Sequence, residues 1–436
     1  MPTAPAHTRT SQTPRPGGMF RALGNRNFRL FLAGSFLSNA GTWMQSVAQS
    51  WLVLQLTDSG TWLGIDMFVA TAPALALMLV GGVIADKVDR KRLLIYTQAG
   101  AGASALVLAA LMWAGAIRWE GAARRPADVW MVLVLSFVTG VCWALAGPAY
   151  QALTVDLVER EDWANAIALN SSQFQLARVT GPVLAAVTMK ALGMTGCFLA
   201  NGLSYVAIVV ALSRVNFERR GAAASATPAG GGKAARRSVW GDVVEGFRYV
   251  RGRPRVGSVL LCSAAAGLFA VPYLVLMPLF ARNVYGWDAA GLSLLTGTAG
   301  AGALVGALVL AYFGDVRRKG LILLGCMVSA GACIMGLASV SSPRVGVPLY
   351  FATGMSLVVF FALGNTLVQQ FVSDEMRGRV MSMWLLTVIG TMPVGSFLSG
   401  AAADRLGPRP TLAACGLLVL LFGLIAGLRN PRLREM

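Results

Sequence analysis

Two charged residues lie inside apolar runs, where ionised groups are scarce and tend to serve a purpose. Arg178 falls near the middle of one run, three residues before the pair Gly181-Pro182, and Asp66 falls about one turn into another. A guanidinium at that depth suits contact with an anionic or polar solute; a structural ion pair or a carbonyl clamp is the alternative. A carboxyl such as Asp66 can carry a proton, or can be an ordinary interfacial acid near a helix start. Amides accompany both: Asn39, Gln45 and Gln49 in the first apolar run, and Asn170, Gln173 and Gln175 in the fifth. Polar side chains in a membrane helix turn toward the bundle interior, so these amides either line a cavity or join helices to one another. A third group stands apart. "GGVIADKVDRKRLL" packs six charges into seven residues between two apolar runs, beginning at Asp86.

The elements that hold these residues follow from composition. Of 436 residues, 56% are hydrophobic and 13% charged, with a mean hydropathy of +0.63. A soluble domain carries about 25% charged residues, so the chain reads as a membrane protein. Twelve apolar runs, at about 30–54, 62–85, 93–117, 129–150, 166–189, 195–215, 256–280, 290–314, 321–340, 347–368, 380–402 and 411–428, each have the length of a spanning helix. The fold class expected is an all-α membrane protein. Most of the 37 Lys and Arg fall on the face that holds both termini, which marks that face as cytoplasmic. The net charge of +18 is thus read as membrane topology and lipid contact, with no nucleic-acid partner.

The organisation divides as a disordered cytoplasmic tail at 1–27, a six-helix bundle at 28–215, a linker at 216–255, a second six-helix bundle at 256–428 and a tail at 429–436. The tail at the start has no apolar h-region and does not read as a signal peptide. Within the linker, 219–237 is flexible by composition, and 238–254 alternates apolar and charged residues as an amphipathic helix on the inner leaflet. The two bundles echo each other. "GGVIADKVDRKRLLIY" after the second run is answered by "VLAYFGDVRRKGLILL" after the eighth, with Asp86 and Asp315 in matching places. Two such repeats with a cavity between them are a transporter design.

Other chemistry is set aside. The six cysteines lie in apolar runs without a CxxC pair, and the one histidine, His7, sits in the polar tail, so no metal site, disulfide or cofactor is expected. No Walker sequence is present, so the chain does not hydrolyse ATP. An intramembrane enzyme would need paired acids or a nucleophile with its base, and only Asp66 and Arg178 are available. A catalytic role is not expected.

At the charged hinge the sequence resembles the major facilitator superfamily, whose signature there is G-x-x-x-D-(R/K)-x-G-R-(R/K). Gly82, Asp86, Lys87, Arg90 and Lys91 match, while Asp89 stands where the family usually has glycine. Helix five carries a degenerate form of the family's antiporter motif in "ARVTGPVLAA", keeping Gly181 and Pro182. "LNSSQFQLARVTGP" and "MRGRVMSMW" further resemble the bacterial exporter branch that includes enterobactin exporters and macrolide efflux pumps. The resemblance spans about 28–428.

It implies the following. Asp86, at the C-terminal end of a helix where an acid is unfavourable, meets the N-terminal end of helix eleven near 378–382 and latches the cytoplasmic side. Arg90 and its neighbours hold Asp86 charged and anchor to lipid phosphate; Asp315 is a weaker counterpart. Gly181-Pro182 bends helix five and brings it close to helix eight. The chain is then a secondary exporter in the bacterial cytoplasmic membrane, coupled to protons, that moves a small amphiphilic molecule such as a siderophore or a drug. Beside what the resemblance implies, the residues themselves make Asp66 the proton carrier by elimination, with coupling through the substrate or through Asp156 as alternatives, and offer Pro272, Tyr273, Met277 and Phe360 as lining for the other half of the pocket; a monomer is the expected state. A membrane sensor or secretion accessory on the same fold is the alternative.

Overall fold

The computed structural model describes residues 18, 20–87, 89–119, 125–215, 245, 247–314, 317–430 and 434, with side chains for all of these except 76 and 78–87. Twelve long helices follow one another: α1 (Arg26–Thr57), α2 (Gly60–Lys87), α3 (Arg90–Trp113), α4 (Val129–Asp156), α5 (163–192), α6 (194–214), α7 (Pro254–Val284), α8 (Ala289–Phe313), α9 (Lys319–Ser339), α10 (Pro343–Phe371), α11 (Asp374–Leu406) and α12 (Pro408–Arg429). Nine helical stretches among the described residues are long and apolar enough to cross a membrane, and the stretch Arg160–Arg214 contains both α5 and α6.

Side chains from the local sequence begin several of these helices. Asn25 accepts from the backbone N–H groups of Asn27 and Phe28 ahead of α1, and Asp288 accepts from those of Ala290 and Gly291 at the start of α8. Asp89 does the same for α3, accepting from the Arg92 N–H at 3.0 Å. The residue that departs from the family signature is therefore a helix cap.

The same reversal occurs in both halves. Gly193, with φ +70°, turns α5 directly into α6, and Gly407, with φ +90°, turns α11 directly into α12. An L side chain is strained in that backbone region, so each hairpin depends on its single glycine. The α5–α6 pair closes tightly enough that the Cys197 sulfur approaches the Ala185 carbonyl oxygen at 3.9 Å.

Helices in lipid gain nothing by burying apolar surface against each other, so close backbone approach and polar bonds have to hold them. Along α8 and α10 the backbones approach through glycine: a Cβ on Gly302 would strike the Phe351 carbonyl oxygen, and one on Gly354 the Ala299 carbonyl oxygen. Gly331 of α9 and Gly416 of α12 face each other in the same way, each 2.8–2.9 Å from the other's carbonyl oxygen if a Cβ were added. The halves themselves meet mainly through α2 with α11 and α5 with α8.

Helix α7 is irregular. Pro272 and Pro278 lie within it, and five-residue π turns occur at Ala266–Ala270 and Phe280–Val284. Such turns re-aim side chains and recur at functional positions.

Gly354→Ala should destabilise the protein by about 1–3 kcal/mol, the usual cost of overpacking. Gly325→Ala, whose added methyl meets nothing within 4 Å, should leave the melting temperature in detergent unchanged. Equal melting temperatures for the two variants would contradict the close-approach account of the α8–α10 seam.

Candidate functional site

Asp66 sits in the seventh position of α2, deeper than one turn, and its carboxylate is held by neutral donors. Gln49 Nε2 of α1 reaches both oxygens, at 3.0 and 2.9 Å, and the Ser136 hydroxyl of α4 donates at 2.7 Å. Gln49 Nε2 also lies 2.9 Å from the Ser136 oxygen. Three helices of the N-terminal half thus converge on one acid, with no cation among its described partners.

The other amides pair with each other. Asn39 donates to Gln173 Oε1 at 3.3 Å, Gln173 donates to Asn170 Oδ1 at 3.2 Å, and the Tyr150 hydroxyl donates to the same Asn170 oxygen at 3.2 Å. Gln45 Oε1 accepts from Asn201 of α6 at 2.6 Å, and Gln45 donates to Gln49 at 3.4 Å. Of the two roles open to Asn39, Gln45, Gln49, Asn170 and Gln173 in the sequence, the structure gives them helix-joining bonds, although all but Gln173 stay partly exposed.

Arg178 lies elsewhere. Its backbone carbonyl faces Gly300 of α8, where an added Cβ would come within 2.7 Å. Its guanidinium rests over the Trp43 ring of α1, 5.4 Å from the centroid, and the Phe174 ring meets Trp43 edge-on at 6.3 Å. Tyr273 of α7 is within its electrostatic reach. No ion pair or hydrogen bond involves the Arg178 side chain among the described residues. Neither the ion pair nor the carbonyl clamp raised by the sequence is made.

The expected approach of α5 to α8 occurs at Arg178 and Pro182, the latter 3.6 Å from the position of a Cβ on Gly297. Gly181 instead serves the contact with α1, where its Cβ would strike Trp43. The break in this stretch of helix is at Gly193, and Pro182 lies within continuous helix. Pro272, Tyr273, Met277 and Phe360 are buried in the C-terminal half and do not line an open pocket in this conformation. The Tyr273 and Tyr350 rings lie 6.1 Å apart, tilted by 32°, with both hydroxyls buried and without a hydrogen-bond partner among the described residues.

The ends of the bundle differ from each other. At the end remote from the termini, Asp404 near the C-terminus of α11 caps the N-terminus of α2. It accepts from the backbone N–H of Gly60 at 2.6 Å and of Thr61 at 3.0 Å, and from the hydroxyls of Ser59 and Thr61, both at 2.5 Å. Asp58, beside that cap, forms an ion pair with Arg282 at the end of α7. Gly60 and Gly400 are close enough that a Cβ on either would meet the other's carbonyl oxygen.

At the end that holds the termini, four ion pairs lie within the N-terminal half or join the C-terminal half to the linker. Arg90 pairs with Asp156 at 2.9 Å, Arg21 with Glu161 and Asp162, and Arg379 with Glu245. Lys91 donates to the Ser213 and Val215 carbonyl oxygens. The partner expected for Arg90 was Asp86; the partner found is Asp156. The side chains of Gly82 and Asp86, and all of Asp315, lie outside the described residues.

Sequence reasoning missed Asp404 and Tyr350. An acid one turn from the end of an apolar run, in "GAAADRLGPRP", presents the same unfavourable helix end that singles out Asp86, and that signal was available. Nothing in the sequence distinguishes Tyr350 from a core aromatic.

Comparison with known proteins agrees with this architecture. The chain is 22% identical over 351 residues to macrolide efflux protein A of Streptococcus pyogenes, covering 80% of this chain and 82% of that protein. It is 22% identical over 415 residues to the staphyloferrin A transporter of Staphylococcus aureus, covering 93% and 97%. A crystal structure of a bacterial homologue of the human lysosomal transporter Spinster, inward-facing and unoccupied, superposes with a TM-score of 0.66 at 14% identity, covering 94% of this chain and 99% of that one. The family model described as transmembrane secretion effector matches residues 18–436. On that match the chain belongs to the transmembrane secretion effector family, a multi-pass bacterial branch of the major facilitator superfamily whose members are transporters rather than enzymes.

Proposed function

We propose that the protein is a secondary exporter that moves a small amphiphilic molecule, a siderophore or a drug-like compound, out of the bacterial cytoplasm by alternating access and proton antiport. The observation that carries this reading is where polar bonds cross between the halves. At the end remote from the termini, Asp404 reaches from α11 to α2 and Asp58 pairs with Arg282 of α7. At the other end Arg90 pairs with Asp156 and Arg21 with Glu161 inside the N-terminal half. With both termini cytoplasmic, as the distribution of Lys and Arg supports, this is the state closed to the outside. Macrolide efflux protein A and the staphyloferrin A transporter keep both solute classes in view.

The opposite state needs a closure at the cytoplasmic end, and Asp86 supplies it by the helix-end argument, reaching the start of α11 with Gly82 allowing the approach. Arg90, tied to Asp156 in the present state, and Asp315 in the second repeat are the accompanying charges. Asp66 is the proton carrier of this scheme. An acid held only by Gln49 and Ser136 can gain or lose a proton without breaking an ion pair, and rotation of two neutral donors accommodates either form.

In proteoliposomes, Asp66→Asn should lower export driven by a pH gradient by about a hundredfold or more, the scale of losing a proton-transfer group, while counterflow exchange of the same compound persists. Undiminished pH-driven export by that variant would remove Asp66 from the coupling. A deletion strain that accumulates no candidate compound, with or without an uncoupler, would remove the export reading itself.

Loss of the Asp404 cap should weaken the closed outer end by about 1 kcal/mol, roughly fivefold in population. In a background without native cysteines, a cysteine at Ser396, buried against Gly64, should be labelled from outside faster in Asp404→Ala than in the parent. An unchanged labelling rate would show that the cap does not hold this end shut.

A further inference from the structure

Much of the hydrogen-bonding capacity of the N-terminal half is consumed, since Asn39, Gln45, Gln49, Asn170 and Gln173 each already have a protein partner. Unspent capacity gathers in the C-terminal half. Of the four buried side-chain atoms without a partner among the described residues, three are tyrosine hydroxyls of the C-terminal half, those of Tyr273, Tyr285 and Tyr350. A buried hydroxyl left unpaired is costly, and Tyr273 and Tyr350 are each no more than 1% exposed. The two rings lie 6.1 Å apart, and Tyr273 is within electrostatic reach of Arg178.

Arg178 itself is partly exposed and has no hydrogen-bonded partner among the described residues. Its guanidinium lies over the Trp43 ring, a contact that uses none of its N–H donors. All three groups can donate, and one carries a positive charge. The acids within reach of the seam are already bound: Asp66 by Gln49 and Ser136, Asp404 by residues 59–61, and Asp58 by Arg282. The site has a surplus of donors and positive charge, and an aromatic wall formed by Trp43 and Phe174.

We infer that the transported solute presents an anionic oxygen, of the carboxylate type, to Arg178, is joined by the Tyr273 hydroxyl once the halves move apart, and lays an apolar or aromatic body against Trp43 and Phe174. A planar guanidinium suits a two-oxygen anion. The inference rests on the export reading and narrows its solute class.

Binding tests it separately from flux. Full-length protein in nanodiscs is titrated with 1-naphthoate, with 1-naphthamide and with 1-naphthylmethylammonium, followed by quenching of tryptophan fluorescence. The native protein should bind naphthoate at least tenfold more tightly than either of the other two. Arg178→Gln should erase that preference, Arg178→Lys should keep a preference of several-fold, and Tyr273→Phe should weaken naphthoate by several-fold without affecting naphthamide. Equal binding of the three probes, a preference for the ammonium, no saturable binding of naphthoate, or an intact preference in Arg178→Gln overturns the inference. Proteoliposome export of neutral or cationic compounds alone would overturn it while leaving the exporter standing.

Discussion

A carboxylate at the C-terminal end of a helix sits in the partial negative charge of its own backbone, and only an outside donor relieves it. At Asp404 that donor is the N-terminal turn of α2, whose free N–H groups lack partners of their own. Two unfavourable helix ends become one favourable contact, and the contact spans the two halves of the molecule. The close glycine approach of α2 and α11, the position of Asp58 opposite Arg282 and the burial of Ser396 all belong to this end. A closure built from helix ends is reversible, because its donors and acceptor can return to water when the halves part.

The interior is organised by a different demand. Apolar side chains gain nothing from leaving lipid for one another, so hydrogen bonds and small residues carry specificity. The N-terminal half meets that demand with a web of amides and hydroxyls joining α1 to α2, α4, α5 and α6. The C-terminal half meets it chiefly with glycine contacts along α8, α9, α10 and α12, and leaves its tyrosine hydroxyls unpaired. One half is polar and satisfied, the other apolar and unsatisfied, and Arg178 stands where they meet.

Much of this was legible in the chain. Hydropathy and length alone mark the twelve helices, and the repeated charged hinge marks the two sets of six. What the sequence could not decide was direction. Asn39 and Gln173 read equally well as cavity lining or as helix-joining groups, because periodicity places them on the inner face without saying which neighbour arrives there. Gly181 was expected to admit α8 and instead admits α1, since a glycine shows that something comes close but not what. Asp89 reads as a defect in the family signature until α3 is seen to start on it. Tyr273 reads as lining until the prolines and π turns of α7 fold it inward. Asp404 closes an apolar run as Asp86 does, but without the dense run of bases that makes Asp86 stand out in the sequence.

Gly193 and Gly407 make the fifth-to-sixth and eleventh-to-twelfth turns with a single residue each, and only residues 58–59 separate α1 from α2. At these three turns there is very little chain that could move independently of the helices, so α6 and α12 are carried along by their partners as stiff levers when the halves part.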